Sequence, residues 1–252
     1  MGTALITGAT SGIGRAIALR LAKEKYDLIL TGRRIGRLEE LKREIERENE
    51  VAVQTLCFDV RVYEQVEKAI NSLTGKWQTV DVLVNNAGLA AGLDPIHTGL
   101  PSDWEEMIDT NIKGLLYVTR VVSPGMVERK SGHIINLGSI SGKTVYPNGV
   151  VYCATKHAVK ALSEGMRMDF LPYGIRVTEI SPGAVETEFS LVRFKGDRER
   201  ADRVYAGFTP LVAEDVAEAV FFAVSQPPRV NIQELLIMPT AQANSTMIHR
   251  GK

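Results

Sequence analysis

Short apolar runs alternate with longer segments of helical periodicity along most of this chain. Seven runs rich in Val, Ile and Leu are predicted as strands, namely ALIT, DLILTG, VAVQTLCFD, DVLVNNAG, HIINLGS, RVTEISPG and ELLIM. The amphipathic segments between them predict helices at residues 13–25, 35–48, 62–73, 102–129 and 152–171. Strands without polar alternation are buried on both faces, so this order predicts a parallel sheet covered by helices on both sides.

The predicted fold class is therefore α/β, a single-domain Rossmann fold with a doubly wound, seven-stranded parallel sheet. No internal repeat, low-complexity tract or Pro/Gly/Ser-rich linker divides the 252 residues, so residues 1–252 are expected to form one dinucleotide-binding and catalytic domain. The segment 185–209 is less regular and strongly charged. It follows a strand whose carboxyl end borders the ligand site in this fold class, so it is predicted to cover the substrate.

Charge and cysteine content restrict the partners of the protein. Its 30 basic and 30 acidic residues cancel, which gives no electrostatic reason to expect a nucleic acid or a membrane surface as partner. A small-molecule ligand is expected instead. The two cysteines, Cys57 and Cys153, are too few for a disulfide scaffold. The N-terminus has no signal-peptide pattern and no apolar run of 18 residues follows, so we expect a cytoplasmic protein.

A glycine-rich loop, TGATSGIG, follows the first predicted strand and opens a helix. Gly8, Gly12 and Gly14 allow a tight turn, close approach of a pyrophosphate and close helix packing. The G-x3-G-x-G spacing differs from the standard fingerprint, and a purely structural turn is the alternative. The position of the loop at the start of an alternating βα chain favours a dinucleotide site. That site also takes in Thr10, Ser11 and Ile13.

The second predicted strand ends in LTGRR, where NAD-binding chains usually carry an acid for the ribose 2′-hydroxyl. No acid stands between residues 28 and 38. The guanidinium groups of Arg33 and Arg34 suit a 2′-phosphate, with Arg33 the preferred contact, because each offers several charge-assisted donors. The predicted cofactor is therefore NADP. The alternative is that both arginines merely open a solvated helix.

Six separated motifs resemble those of the short-chain dehydrogenase/reductase family, in family order: TGATSGIG, NNAG, DTNIKG, NLGSISG, YCATK and SPG. The resemblance extends from end to end of the chain. It implies a catalytic tetrad of Asn111, Ser139, Tyr152 and Lys156. It also implies further cofactor contacts at the adenine, the ribose and the nicotinamide, made by Asp59, Val60, Asn86, Ala87, Gly88, Tyr152, Lys156, Pro182, Gly183, Val185 and Thr187.

The spacing of Tyr152 and Lys156 supports the implied role of the tetrad. Four residues are about one helical turn, so the ammonium would lie near the phenol and make it acidic. A phenolate near pH 7 needs about 4 kcal/mol of stabilisation relative to the phenol. Tyr152 is then the general acid-base, Ser139 steadies the substrate oxygen, and the family residue at Asn111 holds a water beside Lys156. An amphipathic surface pair is the alternative.

Three further stretches, SDWEEMIDTN, VRFKGD and IMPTAQANSTMIHR, resemble the NADP-dependent 3-hydroxy acid dehydrogenase group of the family. The resemblance implies oxidation of serine, L-allo-threonine and 3-hydroxypropionate, and reduction of malonic semialdehyde. A carboxylate substrate needs a cation near the nicotinamide, and Arg193 and Lys195 are predicted to supply it. A solvated charged loop is the alternative for both.

Other functions use the same motifs. A broad carbonyl reductase or a 3-oxoacyl thioester reductase would need the same tetrad, and a catalytically silent NADP-sensing module would need only the cofactor site. A scaffold whose main role is assembly is a third alternative, since the long predicted helices resemble those through which the family forms dimers and tetramers. We expect a homotetramer. The four histidines show no metal-ligand spacing, so no metal is expected.

Overall fold

Seven strands form one parallel sheet through the centre of the computed structural model, which describes residues 2–251. The strands are β1 (Thr3–Ile6), β2 (Asp27–Gly32), β3 (Val53–Cys57), β4 (Val82–Asn85), β5 (His133–Leu137), β6 (Arg176–Pro182) and β7 (Glu234–Ile237). Their order across the sheet is β3-β2-β1-β4-β5-β6-β7, and every neighbouring pair is parallel. The predicted doubly wound sheet is confirmed, with strand ends that are trimmed by up to a few residues.

Nine helices flank the sheet within residues 2–251. They are α1 (Gly12–Lys23), α2 (Ile35–Glu48), α3 (Tyr63–Asn71), α4 (Pro101–Ile108), α5 (Leu115–Arg129), α6 (Val150–Phe170), α7 (Phe189–Arg193), α8 (Arg198–Tyr205) and α9 (Ala213–Val224). The helix predicted at 35–48 matches α2. The helix predicted at 102–129 differs, because a π-helical turn at Asp109–Gly114 separates α4 from α5.

The C-terminal third is more helical than the sequence patterns predicted. Helices α7 and α8 lie within the segment 185–209, which was expected to be irregular. Helix α9 was not predicted, because its run of Val, Ala and Phe carries little polar periodicity. It begins where the Asp215 carboxylate accepts a hydrogen bond from the Val212 amide at 2.9 Å, and it packs along α1.

Both faces of the sheet are apolar, as the strand composition predicted. Ile6 and Ile180 belong to a core that packs against α1 and α9. Leu5 and Val177 belong to a second core, which packs against α5 and α6. Adjacent residues of one strand thus enter opposite cores, which is why these strands show no polar alternation.

The chain reverses its direction of winding between β1 and β4, and this reversal opens a crevice at the carboxyl ends of the strands. Gly14 sets how closely α1 approaches that crevice. A Cβ at Gly14 would overlap the carbonyl oxygen of Gly8 and the side-chain nitrogen Nδ2 of Asn86. Only glycine therefore lets α1 begin directly against the loop and against the end of β4.

A polar contact crosses β5 and β6 inside the core. The Thr178 hydroxyl donates to the Ile232 carbonyl at 2.6 Å and lies 2.8 Å from His133 Nε2. Because the only hydroxyl hydrogen of Thr178 is engaged, His133 must donate from Nε2 and carry no proton on Nδ1. His133 Nδ1 is buried without a hydrogen-bond partner in the described residues. Burial, followed by the charge of Arg176, lowers the pKa of His133 to about 3.

We predict that His133 makes the protein sensitive to acid. The pKa of His133 in the folded state lies below its ordinary value near 6.5, so the unfolded chain takes up the proton first. Neutral His133 therefore carries no penalty above about pH 6.5. As the pH falls from there towards 3, the free energy of unfolding decreases by up to about 1.4 kcal/mol per pH unit. Urea unfolding of the wild type and His133→Gln at pH 7, 6 and 5 gives the free energy of unfolding at each pH. The loss appears as a steeper dependence of this free energy on pH in the wild type than in the variant. Equal slopes for the two proteins would show that folded His133 is protonated at these pH values.

Candidate active site

One cleft of about 350 Å³ lies at the switch point between β1 and β4. Every residue predicted for cofactor binding except Gly14 lines it: Gly8, Thr10, Ser11, Gly12, Ile13, Arg33, Arg34, Asp59, Val60, Asn86, Ala87, Gly88, Tyr152, Lys156, Pro182, Gly183, Val185 and Thr187. The fold thus brings together residues from six separate stretches of the chain. Their role in cofactor binding stays a prediction.

The end of β4 holds the glycine loop in place. Asn86 Nδ2 donates to the carbonyl oxygens of Thr7, at 2.9 Å, and Gly8, at 3.2 Å. The Thr7 hydroxyl in turn accepts from the amides of Asn86 and Ala87, both at 3.0 Å. Gly8 and Gly12 have φ values of +67° and +51°, which favour glycine. The start of α1 consequently opens into the cleft, where helix-end amides attract an anion.

The two arginines predicted to bind the 2′-phosphate interact with different residues. Arg34 donates to the hydroxyl groups of Thr10, at 2.7 Å, and Ser11, at 2.8 Å, so it lies over the glycine loop. Arg33 lies 3.9 Å from the carboxylate of Asp59. Both guanidinium groups border the cleft, and Arg34 is the one attached to the loop.

Glu188 is a residue of this region that the sequence patterns did not reveal. Its carboxylate lies 3.4 Å from Arg34 and 3.1 Å from Arg37. It sits immediately before α7, more than 150 positions from both arginines, so spacing carries no signal for the contact. Burial raises the pKa of Glu188, but the two guanidinium groups outweigh burial and lower it overall.

Three residues of the predicted tetrad meet at the other end of the cleft. Tyr152 and Lys156 stand one turn apart near the start of α6, and each is less than a tenth exposed. Lys156 Nζ donates to the carbonyl of Leu137 at 2.8 Å and lies 6.0 Å from the centroid of the Tyr152 ring. Ser139 follows β5, and its oxygen accepts from the Ser141 amide at 3.0 Å.

Asn111, the fourth predicted residue, lies in the π-helical turn between α4 and α5. Its Nδ2 donates to the carbonyl of Leu89 at 2.8 Å and to the hydroxyl of Thr155 at 3.0 Å, and its Oδ1 accepts from the Leu89 amide at 2.8 Å. A Cβ at Gly88 would lie 3.2 Å from Asn111 Oδ1 and 3.7 Å from Lys156 Nζ, so both side chains approach the backbone of Gly88. Asn111 therefore braces α6 beside Lys156.

Burial is the largest influence on the pKa values of Tyr152 and Lys156. It lowers the pKa of Lys156 to about 8, and the charge of Glu179 acts in the opposite direction. Burial, followed by Tyr146, raises the pKa of Tyr152, while the Ser139 hydroxyl and Arg193 lower it. Removing the phenol from water therefore outweighs the Ser139 hydroxyl and the positive charge of Arg193. The role of Lys156 in making Tyr152 acidic stays a prediction.

Arg193 lies beside Tyr152 and lines a second, smaller cavity that adjoins the cleft at Tyr152, not the cleft itself. Its Nε donates to the carbonyl of Gly92 at 3.1 Å. Its guanidinium carbon lies 5.7 Å from the ring centroid of Tyr152 and 5.5 Å from that of Tyr146. Phe189 packs edge-on against Tyr152 with centroids 5.7 Å apart. Tyr146 and Phe189 were not predicted, since an aromatic residue in a loop or a short helix has no distinguishing spacing.

Lys195, the second predicted carboxylate ligand, has a different partner. Its ammonium lies 2.9 Å from the carboxylate of Asp103 on α4. The Asp103 side chain is almost buried, so the ion pair attaches the loop after α7 to α4. The structure thus brings Arg193 to the ring of Tyr152, and it pairs Lys195 with Asp103.

Within residues 2–251, no helix combines the length and the apolar character needed to cross a membrane. In the same described part of the chain, His, Cys, Asp and Glu side chains nowhere form a group of three that could hold a metal ion.

A doubly wound sheet with a glycine loop and a Ser-Tyr-Lys set at one cleft defines a dehydrogenase of the short-chain type. The family model described as short chain dehydrogenase matches residues 2–197, and the chain belongs to this family. NADP-dependent 3-hydroxy acid dehydrogenase YdfG of Salmonella typhi is 49% identical over 249 residues, covering 98% of this chain and 99% of that protein.

Two other similar proteins extend the comparison. Sulfoacetaldehyde reductase 2 of Chromohalobacter salexigens is 47% identical over 240 residues, covering 95% of this chain and 94% of that protein. The solved closed form of serine dehydrogenase complexed with NADP+ superposes with a TM-score of 0.92 at 46% identity, covering 98% of this chain and 99% of that one. The resemblance inferred from the motifs, including its 3-hydroxy acid dehydrogenase branch, is confirmed.

We predict that Glu188→Gln strengthens binding of an NADP-type ligand. The Glu188 carboxylate occupies Arg34 and Arg37 and would repel a 2′-phosphate, so its neutral isostere frees both guanidinium groups. Exposed ion pairs are worth about 0.2–1 kcal/mol, which corresponds to a Kd for NADPH lower by about 1.5- to 5-fold. Fluorescence titration with NADPH and NADH measures the effect, and the Kd for NADH serves as the control. A weaker NADPH complex would show instead that Glu188 positions Arg34 for the ligand.

Proposed function

We propose that the protein is an NADP-dependent oxidoreductase that transfers a hydride between NADP(H) and small 3-hydroxy acids, such as serine, L-allo-threonine and 3-hydroxypropionate, or malonic semialdehyde in reverse. The observation that carries the proposal is Arg193, a cation 5.7 Å from the ring centroid of Tyr152, in a smaller cavity that adjoins the cleft at Tyr152. The names of the similar proteins support it, because 3-hydroxy acids, serine and sulfoacetaldehyde all carry an anionic group.

The residues of the cleft fit NADP. The loop at Gly8 and Gly12 leaves room for a pyrophosphate at the start of α1, and Arg34 lies beside it with donors for a 2′-phosphate. When bound, the nicotinamide supplies the hydride acceptor or donor.

Tyr152 moves the proton. In the oxidation, its phenolate takes the proton of the substrate hydroxyl while a hydride leaves the carbon that bears this hydroxyl. In the reduction, its phenol gives that proton to the carbonyl oxygen. Because burial raises the pKa of Tyr152, the phenolate depends on positive charge, which Lys156 and the oxidised nicotinamide ring supply together.

Ser139 and Arg193 orient the substrate. The Ser139 oxygen accepts from the Ser141 amide, so its O–H points elsewhere and can donate to the reacting oxygen of the substrate. Arg193 uses Nε for the carbonyl of Gly92 and also interacts with the Tyr146 phenol, so the remaining N–H groups of its guanidinium would contact a carboxylate. The substrate would thus be held at both ends, with its hydroxyl carbon between them.

The alternatives differ in what they require of Arg193 and Tyr152. A broad carbonyl reductase or a 3-oxoacyl thioester reductase would use Ser139 and Tyr152 but would not need Arg193 as a carboxylate ligand. An NADP-sensing module would need neither Tyr152 as an acid-base nor Arg193. Exposed apolar side chains support assembly into the expected homotetramer, among them Leu116 on α5 and Met168 on α6. The tetramer and the cytoplasmic location stay predictions.

We predict turnover of the 3-hydroxy acids with NADP, and loss of it in Tyr152→Phe. Removing a general acid-base lowers kcat by about 10²- to 10⁴-fold, while NADPH binding should persist because the rest of the cleft is unchanged. The absorbance of reduced nicotinamide is followed with L-serine, L-allo-threonine, 3-hydroxypropionate and a simple secondary alcohol, each with NADP and with NAD. Turnover of the alcohol alone would remove the 3-hydroxy acid assignment. Binding of NADPH without any turnover would favour the sensing module.

We predict that Arg193→Ala selectively weakens binding of carboxylate substrates. A charged hydrogen bond contributes about 1.5–3 kcal/mol, so the KM for L-serine should rise by about 10- to 100-fold while kcat/KM for a secondary alcohol stays within about 2-fold. Lys195→Ala is the matched control, since it removes a cation that pairs with Asp103. An unchanged KM for serine in Arg193→Ala would remove Arg193 from the substrate site.

A further inference from the structure

Glu179 is a buried carboxylate close to the catalytic site, and the proposed reaction does not use it. It lies on β6, opposite Asn136 of β5, and is 2% exposed. Its neighbour two residues earlier, Val177, packs into the core on the α6 side of the sheet, so Glu179 faces the same side. Glutamate is almost never fully buried without a partner, so this position calls for an explanation.

The surroundings of Glu179 lead directly to the tetrad. A Cβ at Gly138 would overlap Glu179 Oε1, so the carboxylate lies against the backbone of Gly138. The preceding residue, Leu137, is the one whose carbonyl accepts the hydrogen bond from Lys156. The carboxylate and the ammonium therefore flank the Leu137–Gly138 peptide, immediately before Ser139.

Four groups with charge or hydrogen-bonding capacity act on the Glu179 carboxylate. The Ser181 hydroxyl donates to Oε1 at 2.8 Å. Lys143, Glu234 and Lys156 act on it through their charges, from the end of the 3-10 turn at Ile140–Gly142, from β7 and from α6. Lys143 pairs with Glu234 at 2.6 Å. With that pair neutral, Glu179 and Lys156 remain as the two buried charges that balance each other.

We propose that Glu179 is a positioning residue for the proposed reaction, whose buried negative charge keeps the Lys156 ammonium protonated and so keeps Tyr152 ready for proton transfer. The inference rests on the proposed function of Tyr152 and Lys156. A buried ammonium with no opposing charge would give up its proton, and the phenolate would then lose its permanent cation.

The sign of the effect follows from the two charges. Burial lowers the pKa of Lys156 to about 8, and Glu179 holds it up against that effect. Burial and the charge of Glu234 raise the pKa of Glu179 overall, although Ser181 and the ammonium groups of Lys143 and Lys156 lower it. Removing the charge of Glu179 lets the pKa of Lys156 fall further, so the ammonium is lost at a lower pH than in the wild type.

The kinetic test compares pH profiles of kcat between pH 6 and 10 for the wild type, Glu179→Gln, Glu179→Asp and Glu234→Gln. We expect the alkaline limb of Glu179→Gln to move to lower pH by about 1 unit, the size of shift that a nearby opposite charge produces. Glu179→Asp keeps a charge on a shorter side chain and should shift less, and it also serves if the Gln variant does not fold. Glu234→Gln changes the neighbouring Lys143 pair but keeps the carboxylate beside Gly138, so it should shift the limb less than Glu179→Gln.

A titration without turnover separates this proposal from the proposed function. In protein labelled with ¹⁵N at the lysine side chains, the Lys156 signal, assigned with Lys156→Met, should titrate about 1 unit lower in Glu179→Gln than in the wild type. This readout does not depend on the substrate, so it stands even if no 3-hydroxy acid is turned over. An unchanged titration of Lys156, or a lower kcat with an unmoved alkaline limb, would overturn the role of Glu179.

Discussion

The buried charge of Lys156 is the constraint on which the rest of the catalytic end depends. An ammonium away from water needs a hydrogen-bond acceptor and an opposing charge, and the fold supplies the carbonyl of Leu137 and the carboxylate of Glu179. These groups come from α6, β5 and β6, so the three elements must keep their register. Ser139 follows directly on β5 and is positioned by the same requirement.

The opposite end of the cleft follows a different constraint, the close approach of backbone to backbone. Gly14 brings α1 against the loop and the end of β4, and Asn86 ties both together. The segment before and within α7 connects the two ends, since Glu188 contacts Arg34 while Arg193 contacts the ring of Tyr152. Arg34 at one end and Tyr152 at the other thus share contacts with one segment, the one that holds α7.

Most of the fold could be predicted because both faces of the sheet are buried, which leaves continuous apolar strands separated by amphipathic helices. The misses have physical reasons. The π-helical turn around Asn111 has the same hydrophobic pattern as the α-helix on either side. Helix α9 is apolar over most of its surface because it packs on α1, so its periodicity is weak.

The sequence by itself determined the class of protein, since the glycine loop, the YCATK motif and the paired arginines are local patterns whose chemistry does not depend on distant contacts. Tertiary structure alone decided how these groups are charged and which others join them. The charge of Glu179 acts on Lys156, and Glu188 contacts Arg34 and Arg37, across long stretches of chain. The pKa of Tyr152 rises because burial, a property of the whole fold, outweighs the Ser139 hydroxyl and the charge of Arg193.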